Sequence, residues 1–308
     1  MKASTPLVGV ALGSGAARGW AHIGVLRVLE RESITTHIVC GTSIGALVGA
    51  AYAAEDLERL HQWVNTLDWQ AVISLIDLKM GGGLIEGSKL IDFFSKQFSD
   101  QGIEHLRKKF GCVATDLSNG NEVWIQEGKV IDAVRASIAL PGLFTPFIKD
   151  GRLLVDGGLV NPVPVSLCRA MGAKVVIAVD LNWNLVGRRS RISGDDSTPP
   201  TTLTRSVPNT LTTHIVDAIL AKFRPSAWHA ATAGNGSDMP SMLDVLTTSL
   251  NIMQLQISEG RLINEPADVM IRPDLADIAA MDYHHGARAI AAGERAASDM
   301  LPAIRKLL

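Results

Sequence analysis

Short apolar runs alternate, along the first half of the chain, with longer stretches in which apolar residues recur every three or four positions. Residues 7–12 form an uncharged run that gives way to glycine, the pattern of a parallel strand buried on both faces. Within 18–31, Ile23, Leu26 and Leu29 fall on one helical stripe. Residues 36–40 repeat the strand pattern, and 43–54 predict an Ala/Gly-rich helix. Strand, helix, strand, helix in this order predicts a parallel sheet with helices on both faces. Residues 110–115 and 122–126 read as strands joined by Ser118-Asn119-Gly120-Asn121, a hairpin signal. A helix over 130–140 stops before Pro141-Gly142, and 153–155 is a short strand. Pro162 opens a helix to Met171 that Gly172 closes. Residues 175–179 are a wholly apolar strand, 269–271 the last strand and 283–307 the last helix.

The pattern breaks at 193–213, where ten of 21 residues are Ser or Thr and three are Pro. This predicts a solvated excursion rather than a second core. A second polar patch covers 233–240, and no internal repeat is visible. The expectation is one domain over 1–308, with its core motifs in 7–182, a polar insertion at about 184–240, and a C-terminal strand and helix in 267–308.

Composition narrows the function classes. With 308 residues, 47% of them hydrophobic and 19% charged, the chain is long and apolar enough for a globular core. The formal net charge of −2 gives no basic field for nucleic acid. Cys40, Cys112 and Cys168 stand far apart with no C-x-x-C, against a disulfide framework or cysteine-based zinc site. That usage suits a reducing compartment. The N-terminal residues lack the apolar core of a signal peptide, and the uncharged run from about residue 40 is too short to span a bilayer. The expectation is a cytoplasmic protein with room for peripheral contact at the inner membrane surface.

Gly41-Thr42-Ser43-Ile44-Gly45 is a G-x-S-x-G sequence between a predicted strand and a predicted helix, the context in which that motif marks a nucleophile. The flanking glycines permit a sharp turn. The helix N-terminus behind the serine offers unpaired N–H groups and partial positive charge. The blander alternative is a tight turn with an N-cap serine.

Gly13-Ser14-Gly15-Ala16-Ala17-Arg18-Gly19 occupies the turn between the first strand and the first helix. The glycine spacing is one residue too long for G-x-G-x-x-G, and no acid closes the second strand, so a dinucleotide site is disfavoured. Small residues in succession suit an anion-holding nest of backbone N–H groups, which beside a nucleophile is an oxyanion hole. Arg18 would fix this loop, add charge, or simply be exposed. Gly82–Lys89 narrowly misses the phosphate-loop pattern, because its last two residues are Ser then Lys.

A serine nucleophile needs a proton acceptor. Downstream stand His61, His105, His214, His229, His284 and His285, none in a glycine-rich turn after a strand. Asp156 stands at a strand end before Gly157 and Gly158, whose small size would let the loop fold back against other backbone. A free aspartate is a weak base, with a pKa of about 3.9, and needs burial to serve. Asp116 and Asp180, also at strand ends, compete with it.

Together, residues 12–20, Gly41–Gly45, Arg135-Ala136-Ser137-Ile138-Ala139-Leu140-Pro141-Gly142 and residues 156–164 resemble the patatin-like phospholipase family, specifically its bacterial branch. The resemblance covers roughly 7–182 and continues more loosely through 268–273 and the final helix. It implies a three-layer α/β/α fold with a mostly parallel central sheet, and a Ser–Asp dyad without histidine. Ser43 would attack a lipid acyl ester, and Asp156 would take its proton and later activate water. Backbone N–H groups of Gly13, Ser14, Gly15 and Ala16 would hold the oxyanion. Arg18, Gly41, Gly45, Gly157 and Gly158 would support the site. Ser14 and Ala16 replace glycines of the family's richest form, and alanine adopts positive φ only at a cost. No metal and no diffusible cofactor are implied. The partner implied is a lipid or acyl ester substrate; a protein partner stays open. The rivals are a Ser–Asp–His esterase and a regulatory or scaffolding protein with weak or no hydrolysis.

Trp63, Trp69, Ile73, Leu75, Ile76, Leu84, Ile85, Phe93, Phe94 and Phe98 concentrate between the nucleophile helix and the hairpin. Part of this segment is a candidate lid, hinged at the glycines of 81–83, with plain helical core as the alternative. Arg188, Arg189 and Arg191 are candidate contacts for anionic head groups.

Overall fold

The computed structural model describes residues 6–68, 70, 101–184 and 242–308. Of the aromatic and aliphatic residues in the candidate lid segment, Trp63 lies on a described helix and packs edge-on against Trp20 in the core, as the plain helical alternative has it. The rest of that segment with its glycines 81–83, residues 82–89, the polar insertion with Arg188, Arg189 and Arg191, and both His214 and His229 lie outside the described residues.

The strands are β1 (Val8–Leu12), β2 (Ile38–Thr42), β3 (Lys109–Asp116), β4 (Glu122–Ile125), β5 (Phe147–Lys149), β6 (Arg152–Asp156), β7 (Val175–Val179) and β8 (Val269–Ile271). The α-helices are α1 (Ala21–Arg31), α2 (Ile44–Ala53), α3 (Leu57–Thr66), α4 (Val130–Ser137), α5 (Val165–Ala170), α6 (Met242–Asn264) and α7 (Gly286–Arg305). The sequence reading singled out neither β5 nor α3 nor α6.

The sheet runs β5-β6-β3-β2-β1-β7-β8, with β4 also paired to β3. From β3 to β8 the pairs are parallel, and antiparallel pairs gather at the β4, β5 and β6 end. The two-residue period of a strand sorts the core. Val8, Val10 and Leu12 face a cluster built with α1, α2, α3, α4 and α7. Ala11 faces the opposite cluster, with Val165, Leu167 and Cys168 of α5 and Leu262 of α6. The sheet is therefore the middle of three layers, a mixed α/β arrangement of the kind the resemblance implies. Every residue of α2 is buried, which explains its Ala/Gly content: a helix enclosed on all sides must be thin.

One feature of register sets the site. Residues Cys112 and Val113 pair with β2 on one edge of β3 and with β4 on the other. Ala114 and Thr115 pair with the same β4, and on their other edge with β6. So β2 and β6 occupy the same lane beside β3 and run toward each other. The last residue of β2, Thr42, sits opposite Val113, and the last residue of β6, Asp156, sits opposite Ala114. Residues 43 and 156 follow as neighbours although 113 positions separate them.

Candidate active site

Ser43 lies between β2 and α2 with φ 57° and ψ −125°, a conformation costing a non-glycine residue about 1–3 kcal/mol. The turn is tight enough that a Cβ on Gly41 would stand 2.3 Å from the Gly45 carbonyl oxygen. A Cβ on Gly45 would stand 2.2 Å from the Leu12 oxygen. Only glycine lets the strand, the helix start and the neighbouring loop approach this closely.

The strained residue is pinned from both sides. Its carbonyl accepts from the N–H groups of Ala46 and Leu47. Its own N–H donates to Ser137 Oγ at 2.9 Å, and that hydroxyl donates to the Val113 carbonyl at 2.6 Å. Ser137 is fully buried, so Ser137→Ala leaves a buried donor and a buried acceptor unmatched. The expected loss is about 1–3 kcal/mol of stability, read as a lowered melting temperature. The serine should also react more slowly with an active-site phosphonate, because the turn loses its brace.

The Ser43 hydroxyl donates to Asp156 Oδ2 at 2.5 Å. Asp156 is fully buried, and its other oxygen accepts the Gly158 N–H at 2.7 Å. Burial pushes its pKa up to about 6, although both hydrogen bonds favour the charged form. The loop after Asp156 is tied to both other motifs. Thr42 Oγ1 donates to the Asn161 carbonyl at 2.8 Å, and the Ser14 N–H donates to the Pro162 carbonyl at 2.8 Å. The Asn161 side chain in turn donates to Glu122 and Ser166.

The glycine-rich loop, residues 13–19, divides differently from the sequence expectation. The Gly13 and Ser14 N–H groups are already committed, to the carbonyls of Val179 and Pro162. They hold the loop to β7 and to the Asp156 loop, and are not donors for an incoming oxyanion. The N–H groups of Gly15, Ala16 and Ile44 have no acceptor among the described residues. Ala16 takes φ 49°, the strained value its side chain made costly. Arg18 is buried, not exposed, and its guanidinium donates to the side-chain oxygens of Asn182 and Asn251.

His22 sits beneath the same loop, 2.8 Å from the Gly13 carbonyl through Nε2. Burial drives its pKa down to about 4, so the ring is neutral and the bond to a carbonyl assigns the proton to Nε2. It supports the loop. His37 accepts from the Val8 N–H, His61 lies against Arg27 and Asn65, and His284 and His285 contact one another with tilted rings, their centroids 4.0 Å apart.

The competing acids have other tasks. Asp116 caps the hairpin turn by accepting from Ser118 and Asn119. Asp180 accepts the Asn182 N–H at 3.0 Å. Among the described residues, the ligand atoms of Asp282, His284 and His285 lie within 4.8 Å of one another. Asp282 there accepts the Ala279 N–H, which holds the turn ahead of α7.

Sequence reasoning quoted Ser137 and Asn161 within motifs without giving them a task. It missed Asn182, Asn251 and Gln254 altogether, and no motif marks them.

A strained serine at a strand–helix turn, bonded to a buried carboxylate at one end of a mostly parallel sheet, defines a class of three-layer α/β/α proteins. The family model described as patatin-like phospholipase matches residues 10–169. The chain belongs to the patatin-like phospholipase family. It is 31% identical to an uncharacterized NTE family protein of Mycobacterium tuberculosis, over 97% of this chain and 92% of that one. It is 36% identical over 182 residues to patatin-like phospholipase domain-containing protein 6 of Homo sapiens, which covers 56% of this chain and 13% of that protein. VipD from Legionella pneumophila aligns with a TM-score of 0.47 and 14% identity, over 97% of this chain and 67% of that one. Among the described residues, no helix is long and apolar enough to cross a membrane.

Proposed function

We propose that the chain is a serine lipid acyl hydrolase working through a Ser43–Asp156 dyad, within a single patatin-like domain. The observation that carries this reading is the 2.5 Å hydrogen bond from a strained serine hydroxyl to a buried carboxylate. In the first half-reaction Ser43 Oγ attacks the ester carbonyl carbon while its proton moves to Asp156 Oδ2. The Gly15, Ala16 and Ile44 N–H groups take the oxyanion, and the α2 N-terminus adds its partial positive charge. Collapse breaks the bond to the leaving alcohol, which receives the proton from Asp156. Water then attacks the acyl-serine, gives its proton to Asp156, and the proton returns to Ser43 Oγ as the fatty acid leaves. A carboxylate raised to about 6 by burial is a better base than a free aspartate and remains ionised at neutral pH. Family membership supports a lipid acyl ester as substrate, met as a peripheral contact with a lipid surface.

A fluorophosphonate probe tests the reading. The wild type labels and Ser43→Ala does not, and wild type but not Ser43→Ala releases fatty acid from lysophospholipid or p-nitrophenyl butyrate. A wild type that does not label, or equal labelling of Ser43→Ala, removes the proposal and leaves a binding or scaffolding role. Loss of turnover on replacing any one of His214, His229, His284 or His285, with the fold intact, favours the triad instead.

A further inference from the structure

The loop after Asp156 is where the three motifs meet, and two consecutive carbonyls join them. The Asn161 carbonyl accepts the Thr42 hydroxyl at 2.8 Å, and the Pro162 carbonyl accepts the Ser14 N–H at 2.8 Å. The loop closes on itself through the Val160 and Asn161 N–H groups, which both donate to the Gly157 carbonyl, at 3.1 and 2.9 Å. A shift of residues 160–162 is therefore passed in three directions. It reaches Asp156 through Gly157, Ser43 through Thr42, and the glycine-rich loop through Ser14.

What holds residues 160–162 in place lies outside every motif. Asn161 is fully buried and donates Nδ2 to Glu122 Oε1 at 2.6 Å and to Ser166 Oγ at 3.0 Å. Glu122 opens β4. Its Oε1 also accepts Trp124 Nε1 at 2.5 Å, and its Oε2 lies 3.0 Å from Arg261 Nη2. Arg261 comes from α6, on the other side of the loop. It donates Nη1 to the Val160 carbonyl at 3.3 Å and Nη2 to Ser166 Oγ at 3.2 Å. The guanidinium thus grips the loop twice, directly at its backbone and indirectly at the Asn161 amide. The Arg261 and Glu122 side chains are 29% and 18% exposed, so water and salt screen this pair less than they screen a surface pair. Bonds to ionised groups are also the short, directional ones, suited to fixing a position.

We propose that Arg261 and Glu122 are positioning residues that set the separation of Ser43 and Asp156 from behind, acting through Asn161 and Val160; the inference rests on the dyad reading above. Neither side chain bonds to Ser43 or Asp156. Their effect is on how closely the hydroxyl meets the carboxylate, and proton transfer is the step that depends on that distance. Removing either should therefore lower kcat and leave KM nearly unchanged. Because both act through one loop, removing both should cost little more than removing one.

Arg261→Met, Glu122→Ala and the double variant test this with p-nitrophenyl butyrate. Each should lose about 10- to 100-fold in kcat, the loss expected when reacting groups are misplaced. Fluorophosphonate labelling of Ser43 should slow in the same proportion, because it too needs the serine deprotonated. Arg261→Lys keeps a cation against Glu122 and should recover most of the turnover. Glu265 is the control: it pairs with Arg261 at 3.2 Å but bonds to no residue of the loop. Glu265→Ala should leave kcat unchanged. Unchanged kcat in Arg261→Met and Glu122→Ala, a loss confined to KM, losses that multiply in the double variant, or an equal loss in Glu265→Ala each overturn the positioning role while leaving the dyad intact. So does an Arg261→Lys protein as slow as Arg261→Met. Absence of labelling in the wild type overturns the dyad itself. Should Arg261→Met fail to fold, Glu122→Ala and Arg261→Lys decide.

Discussion

Ser43→Ala and Asp156→Asn should each reduce ester turnover by about 10⁴-fold or more, and the double variant should be no worse than either single one. Side chains that act on the same proton fail together. Without the hydroxyl there is no nucleophile to deprotonate, and without the carboxylate the hydroxyl keeps its proton. Asp156→Asn is the sharper of the two tests. The asparagine keeps the volume and can still accept the Gly158 N–H that Oδ1 now accepts at 2.7 Å. It offers Ser43 no base. The loss should therefore fall on kcat, with little change in KM, and circular dichroism should show the fold intact. A variant retaining a tenth of wild-type turnover would mean that another group takes the proton.

How far this site was legible in the sequence depends on what fixes each part. The strand–turn–helix around Ser43 is local: an apolar run, two glycines and a small-residue helix announce it. The meeting of Ser43 with Asp156 is not local. It depends on β2 and β6 ending head to head along one edge of β3, which no window of sequence contains. The same holds for the glycine-rich loop. Its composition suggests a nest, but which N–H groups remain available is decided by the carbonyls of Val179 and Pro162, about 150 residues away. β5 was missed because it is three residues long and exposes its central Ile148 to 70%, so no alternation can register. α6 was missed as part of the site for a different reason. It turns Asn251 toward Arg18 and Gln254 toward Ser14, and leaves Ile252, Met253 and Ile263 exposed. A reading that sends apolar residues inward suits Leu250 and Leu255, which are buried, but not those three, so the periodicity of this helix is blurred.

Activity and stability should respond to pH in opposite directions, with Asp156 as the link. In the folded protein burial raises this carboxyl to about 6, above its ordinary value of 3.8. Between those values the folded chain holds a proton that the unfolded chain has released. The group's contribution to stability is thus fully present below about pH 4 and is lost as pH rises through 6. Above that, the ionised, buried aspartate costs the fold about 3 kcal/mol relative to an unshifted one. Catalysis needs the ionised form, so kcat/KM should rise as pH climbs through about 6 and then level off. Asp156→Asn removes the ionisation altogether. It should melt several degrees above wild type at pH 7.5, with the gap closing toward pH 4, while remaining inactive at every pH. Thermal melts of the two proteins across that range, beside a pH–rate profile of the wild type, measure both sides of the exchange. A gap that stays constant with pH would mean that Asp156 titrates alike in the folded and unfolded chains. The carboxylate would then gain no basicity from its burial, and the serine would have to be activated by the oxyanion donors alone.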